Sequence, residues 1–458
     1  MKLYLEDIVK AIDGRCLNHG HFGNNIVKHI CTNSKAIQPQ SLFIPLKGDK
    51  FDGHHYIKEV FDQGSMATLT ECAEIQDERL YTIYVKDTKK ALLDLAKYYR
   101  SLFDLPIIAI TGSVGKTSTK DLVATVLSSK YKVHKTQGNY NNEIGVPLTL
   151  FELDLDHEAA VIEMGMNHFG EIHNLTMATR PNIAIVTNVG TSHIENLGNR
   201  EGILKAKLEI LDGLNEEGVL ILNSDNDMLS QVGSLKVKTI KYGMNHDAVY
   251  RAEDIKVHLN KLHAHIVSPK DNYDIEIPTL GEHMVLNALA AIAVADYLGL
   301  TKEQIIEGLK TYAPSKMRMS INNLSNGIVV IDDTYNASLE SMKAAVKTLE
   351  SYHTDGKKIA ILGDILETGD YAKILHEQVG TFVASARIHI LCAVGQQAKH
   401  IYNGCMNIPS NIKIKYYETK EACVDDLSSY LTKGDTVLVK ASRGMQFEKI
   451  VDAIGKVN

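Results

Sequence analysis

No apolar run in this 458-residue chain approaches the roughly 20 residues needed to cross a bilayer, which excludes a helical membrane span. Positive charge is not in excess. Lys and Arg number 49 against 56 Asp and Glu, the net charge is −7, and no Lys/Arg-rich run occurs. That excludes a nucleic-acid footprint. Cysteine is sparse: Cys16, Cys31, Cys72, Cys392, Cys405 and Cys423 are scattered, with no CxxC spacing. Such usage excludes a disulfide framework and a cysteine zinc site and points to a reducing compartment. The opening "MKLYLEDIVKAIDGR" places acidic residues in its first apolar stretch and has no h-region, so no signal peptide is expected and the expected location is the cytoplasm. Repeats at periods of roughly 20–50 residues and low-complexity tracts are also missing.

What is present is average in amount and specific in pattern. Hydrophobic content of 44% and charged content of 23% are those of a soluble globular protein, and the length calls for about three domains. Residues 1–103 mix short strands ("SLFIPLKG", "RLYTIYVK") with the helix "KKALLDLAKYYRSLF". Residues 104–313 open with the buried strand "PIIAI", a Gly-rich turn and the helix "TSTKDLVATVLSS". The strands "AAVIEMG", "NIAIVTNVG" and "GVLILNSD" follow with helices between them, which is βαβ alternation and implies a parallel sheet. A β-rich stretch at 249–278 and the helix "GEHMVLNALAAIAVADYLG" complete this part, and "TYAPSKMRM" reads as a linker. Residues 314–458 alternate again through "GIVVIDD", "KKIAILGD", "IHILCAVG", "KIKYYET" and "DTVLVKAS", predicting a second doubly wound α/β domain of Rossmann-like type.

In "PIIAITGSVGKTSTKD", Gly112, Gly115, Lys116 and Thr117 fall between strand and helix, but Ile110 occupies the first glycine position of the strict phosphate-loop pattern. The physics survives the shorter loop. Glycines admit backbone amides to phosphate, the helix N-terminus adds positive potential, Lys116 reaches the terminal phosphates and Thr117 can ligate Mg²⁺. Open α/β sheets hold ligands at the strand ends, where "AAVIEMGMNHFGEI" supplies Glu163 and "NIAIVTNVGTSHIENLG" supplies His193. With Thr117 these form a donor set suited to Mg²⁺. In "EGILKAKLEILDGL", read as a helix over 201–214, Ile203, Leu204, Leu208, Ile210 and Leu211 share one face, and Lys205 and Glu209 point to water. Lys207 falls in the middle of the apolar face. Either its stem packs while the ammonium snorkels out, or the amine is desolvated, neutral and able to add CO₂ as a carbamate for a metal ion.

In order, "TGSVGKTS", "GNYNNEIGVPLTL", "VIEMGMNHFGEI", "TNVGTSHIENLG" and "KAKLEI" resemble the Mur ligase family of ATP-dependent amide ligases. The likeness extends over the whole chain, through "TNSKAIQPQSLFIPLKG" near its start and "SKMRMS", "DDTYNAS", "GDILETG" and "LVKASRG" near its end. It implies three domains: a UDP-substrate domain (1–103), an ATP-binding domain (104–313) and a C-terminal ligase domain (314–458). It also implies that Gly112, Ser113, Val114, Gly115, Lys116, Thr117 and Ser118 hold the ATP phosphates. Thr117 and Glu163 would hold one Mg²⁺, with His193 and a carbamylated Lys207 at a second. Asn287 resembles the adenine-side asparagine, Arg318 and Asp333 the residues that reach ATP, and Ser34, Asn141 and Asn142 those that meet the UDP-linked substrate. The implied reaction is that of the dipeptide-adding branch: D-alanyl-D-alanine joined to UDP-N-acetylmuramoyl-tripeptide through an acyl phosphate, by a monomer. Another ligase of the family, adding a different amino acid, is the nearest alternative; the Asn-Pro-Arg motif of the diamino-acid-adding branch is missing. A switch or motor ATPase would have no use for Lys207, Arg318 or Asp333, and a non-catalytic scaffold none for Lys116, Glu163, His193 and Lys207. Three positions depart from the family pattern. Lys35 replaces an arginine, Met284 an asparagine, and "NASLESM" lacks a proline.

Overall fold

The computed structural model describes all residues except 19, 21, 49, 75–78, 246 and 458. The chain forms two compact units and passes repeatedly between them: residues 1–110, 131–184 and 209–219 make the first, and 111–130, 185–208 and 220–458 the second.

In the first unit a five-stranded sheet runs in the order Arg15–Cys16, Tyr81–Tyr84, Ser65–Thr70, Ser41–Phe43, His29–Cys31. The last four strands are parallel. The helix Thr88–Ser101 is capped by Asp87, whose carboxylate accepts from the Lys90 amide, and buries Leu92, Leu95, Ala96 and Tyr99. It packs on Gly145–Phe151 and Glu171–Thr179. Ala159–Glu163 lies parallel between Val133–Lys135 and Ile107–Thr111, and all five of its side chains are buried. A fully buried parallel strand reads as one apolar run, so its terminal glutamate stands out.

The second unit contains the helix Lys116–Leu127, packed on Met284–Tyr297 and Lys302–Lys310. The predicted β-rich stretch is an antiparallel meander, Tyr250–His258, Lys261–Val267 and Asn272–Ile277. Residues 314–458 form a six-stranded sheet in the order Ser320–Asn323, Val329–Asp332, Thr436–Lys440, Lys358–Gly363, Ile390–Val394, Lys413–Tyr417. Its five predicted strands are parallel, with apolar cores on both faces. Ser320–Asn323, just after the stretch read as linker, adds an antiparallel edge strand that the sequence reading did not include.

The helix expected over 201–214 is shorter. It runs Arg200–Leu208 and tightens into a 3₁₀ turn at Glu209–Leu211. Ile203, Ala206, Lys207 and Ile210 are buried; Leu204, Leu208 and Leu211 are half-buried, and Lys205 is exposed as expected. Glu209 does not point to water. Its carboxylate accepts from the Gly170 amide (2.9 and 3.0 Å) and the His173 amide (3.2 Å), capping Glu171–Thr179 where the macrodipole favours an anion.

Candidate active site

The phosphate loop is shaped by two glycines. Gly115 has φ 83° at the N-cap of Lys116–Leu127. Gly112 has φ 156°, and a Cβ there would lie 1.9 Å from Thr187 Oγ1, so no other residue fits without moving the neighbouring strand end. The loop is tied to residues 187–190. Thr187 Oγ1 donates to Val114 O (2.6 Å), the Val114 amide donates to Asn188 Oδ1 (2.9 Å), and the Gly190 amide donates to Ser113 Oγ (3.0 Å). Lys116 folds over the loop, its Nζ donating to Gly112 O (2.8 Å). Thr117 is buried in the first turn, and the Ser118 hydroxyl hydrogen-bonds Tyr312.

Asn287 is buried, and its Oδ1 accepts from Thr119 Oγ1 (3.0 Å) on the phosphate-loop helix. Met284, the departure from the family pattern, is not idle: its sulfur accepts from Asn287 Nδ2 (3.2 Å) and fixes the amide's orientation. Lys207 is 1% exposed. Burial, reinforced by the Lys116 charge, drives its pKa well below that of an ordinary lysine. The snorkelling reading therefore fails, because the ammonium does not reach water.

His193 starts the short helix Ile194–Leu197 with φ 61°. Its buried Nδ1 lies 2.6 Å from Glu367 Oε2. The His193 ring in turn holds the Glu367 carboxyl below its ordinary range. Arg318 stacks its guanidinium 4.0 Å from the centroid of Tyr335. Asp333, which the resemblance assigns to ATP, is held by structural partners. Its Oδ2 accepts from the buried Lys440 ammonium (2.6 Å) and its Oδ1 from the Met319 amide (3.2 Å).

In the first unit, Glu163 is 2% exposed and accepts from Asn141 Nδ2 (2.8 Å), while its amide donates to Thr136 Oγ1 (3.0 Å). Asn142 Oδ1 accepts from the Ile144 and Gly145 amides, shaping the start of Gly145–Phe151. Ser34 begins a 3₁₀ turn, Ser34–Ala36, capped by Asn33. Thus Asn141 supports Glu163, Asn142 supports backbone, and Ser34 is half-buried at a turn. Among the described residues no three His, Cys, Asp or Glu side chains gather as a ready-made metal cage. A Mg²⁺ that bridges phosphates keeps waters and takes only one or two protein ligands, so the Thr117 hydroxyl and His193 imidazole of the second unit are donors whose chemistry suits that ion.

Sequence reasoning passed over Glu367, Lys440 and Glu340. Glu367 lay within the quoted "GDILETG", in the loop after the strand Lys358–Gly363, and an acid in a loop that follows a parallel strand was the available signal.

Three family models match the chain: "Mur ligase family, catalytic domain" over residues 26–100, "Mur ligase middle domain" over 110–295, and "Mur ligase, glutamate ligase domain" over 317–443. The UDP-N-acetylmuramoyl-tripeptide--D-alanyl-D-alanine ligase of Bacillus subtilis is 37% identical, over 98% of this chain and 98% of that one. The ligase of the same name from Escherichia coli is 34% identical, over 93% of each. A crystal structure of MurF from Acinetobacter baumannii superposes with a TM-score of 0.93 at 29% identity, covering 100% of this chain and 99% of that one. MurF from Thermotoga maritima, solved in complex with ADP, gives 0.84 at 27% identity, covering 94% and 97%.

Proposed function

Because the chain belongs to the Mur ligase family, we propose that it uses ATP to join D-alanyl-D-alanine to UDP-N-acetylmuramoyl-tripeptide. The product is the UDP-muramoyl-pentapeptide precursor of peptidoglycan. The observation that carries the reading is near-end-to-end similarity, at 37% identity over 98% of both chains, to a relative named for that reaction.

The tripeptide's terminal carboxylate oxygen attacks the γ-phosphorus of ATP, and ADP leaves. The free amine of the dipeptide then attacks the acyl-phosphate carbon; the amine loses a proton, the C–N bond forms and inorganic phosphate departs. No side-chain nucleophile is needed, so the protein's work is positioning and charge neutralisation. Gly112–Ser118 offer amides and a helix N-terminus to the phosphates. Lys116 exchanges its contact with Gly112 O for a terminal phosphate. Asn287 holds the phosphate-loop helix, and Arg318 and Asp333 are assigned to the nucleotide. Ser34, Asn141 and Asn142 are assigned to the UDP-linked substrate, Asn141 also orienting Glu163.

Thr117, His193 and Lys207 fit a Mg²⁺ role, and Glu163 is assigned to it on chemistry alone, as a buried carboxylate at a strand end. When bound, Mg²⁺ supplies charge neutralisation for the phosphates and carboxylate that must approach each other. Lys207, kept neutral by burial, is able to add CO₂ through its lone pair, lose a proton and present a carbamate. A single chain carries every group named, so the reading needs no second copy.

Phosphate release from ATP should require both the UDP-tripeptide and D-alanyl-D-alanine. Turnover with either one missing, or with a single amino acid replacing the dipeptide, would refute the assignment. At Lys207 the two properties should separate. Lys207→Leu is expected to keep or raise the melting temperature, since it removes a polar group from an apolar site, while activity drops by roughly a hundredfold or more. Acetate should restore part of the activity of Lys207→Ala by standing in for the carbamate. Full activity in Lys207→Leu would end the carbamate reading.

A further inference from the structure

We propose that Glu367 is a positioning residue for His193, holding the imidazole by Nδ1 so that its other nitrogen is left free for the metal-bearing nucleotide. The inference rests on the reading of His193 as a metal-site residue.

Both ends of the contact are strained. His193 has φ 61° and Glu367 φ 60°, left-handed conformations that non-glycine residues rarely hold without a reason. The Glu367 carboxylate is aimed by a rigid frame. In its loop, the Ile365 amide donates to His376 Nε2 (2.9 Å) and the Leu366 amide to Ser442 Oγ (2.9 Å), while the Ser442 amide donates to Asp364 O (3.1 Å). Glu367 Oε2 then lies 2.6 Å from the buried His193 Nδ1. A carboxylate behind one ring nitrogen is the arrangement that fixes the orientation and raises the basicity of a metal-binding histidine.

Two further side chains that follow the linker bond to the same loop at other points. Glu340 Oε2 accepts from Thr191 Oγ1 (3.3 Å), and the Tyr371 hydroxyl donates to Gly198 O (3.0 Å). They allow the carboxylate's effect on the ring to be separated from simple loosening of the loop. All three residues follow the 311–319 linker, so the imidazole's orientation depends on a segment remote in sequence from the phosphate loop.

The test uses the full-length protein with Mn²⁺ and a non-hydrolysable ATP analogue. Manganese binding is titrated by electron paramagnetic resonance, and the nitrogen modulation of a coordinated imidazole is recorded. Glu367→Ala should weaken binding of the imidazole-coordinated ion by about 10–100-fold and diminish the nitrogen signal. Its kcat should fall in step, with KM for ATP nearly unchanged. Glu367→Gln, of the same length, should fold normally and give an intermediate loss. Tyr371→Phe should leave the nitrogen signal as it is. An unchanged signal and affinity in Glu367→Ala and Glu367→Gln would overturn the proposal, as would an equal loss in Tyr371→Phe. His193→Ala separates the two levels. A wild-type nitrogen signal there refutes the metal role of His193 itself. Its disappearance there, with persistence in Glu367→Ala, refutes only the role of Glu367.

Discussion

Asp333 and Lys440 illustrate how an ion pair can give a structural role to a residue proposed for the nucleotide. The Lys440 ammonium, 2% exposed as a residue, is satisfied by Asp333 Oδ2 (2.6 Å) and by Asn336 O (2.7 Å). Removing the carboxylate leaves a buried charge half-solvated, at a cost of about 3–5 kcal/mol. Asp333→Ala should therefore lower the melting temperature as well as turnover, and Asp333→Ala/Lys440→Met should recover most of the stability but not the turnover. Equal stability of wild type and Asp333→Ala would show that the pair carries no load. Gly112 gives the opposite case, a residue whose whole role is to lack a side chain. Gly112→Ala should keep the far-ultraviolet circular dichroism and lose nucleotide affinity by roughly tenfold or more, because the loop must shift away from Thr187. Calorimetric titration with an ATP analogue measures the loss.

Helix Ala372–Ala384 carries a group that ties its first turns to the Glu367 loop. His376 is fully buried; its Nδ1 donates to Ala372 O (2.6 Å) and its Nε2 accepts from the Ile365 amide (2.9 Å). Only the neutral ring satisfies both, and burial accordingly lowers its pKa below the ordinary histidine value. The folded state thus binds a proton less readily than the unfolded one. The stabilisation is present in full above about pH 6.5 and is lost as pH falls through that value toward the folded-state pKa. His376→Ala should remove up to about 1.4 kcal/mol per pH unit of that dependence. Melts from pH 5 to 7.5 would reveal it, and identical slopes would exclude it. Elements of this kind were legible in the sequence where their cause is local: buried strands as apolar runs, glycines at positive φ in the phosphate loop, Lys207 on an apolar face. The end of the Lys207 helix was not, since nothing between Leu208 and Gly213 breaks the periodicity. It ends there because Glu209 is drawn to the Gly170 and His173 amides, a tertiary cause. Ser320–Asn323 was missed for a related reason: its strand state comes from pairing with Val329–Asp332, not from its own alternation. Glu367 shows its partner only once the fold brings His193 to it.

At the scale of the molecule, the order of synthesis and the order of packing disagree. The phosphate-loop helix Lys116–Leu127 buries nine of its side chains, and the helices it packs on, Met284–Tyr297 and Lys302–Lys310, lie far later in the chain. Its tie from Thr119 to Asn287 spans 168 positions, and the Val126 backbone lies so close to Gly308 that a Cβ there would approach within 2.7 Å. At about 5–20 residues per second, a ribosome leaves this apolar helix without its cover for roughly 8–34 s after Thr119 has been made. A stalled nascent chain ending before residue 284 should therefore expose the helix to protease and to chaperone capture, and one extending well past 310, with allowance for the ribosomal tunnel, should protect it. Equal protection at both lengths would mean that some other part of the chain covers the helix in the meantime. On the proposed assignment the nucleotide site is thus among the last parts of its unit able to form, and a product truncated before residue 284 should fail to bind ATP without any dedicated safeguard.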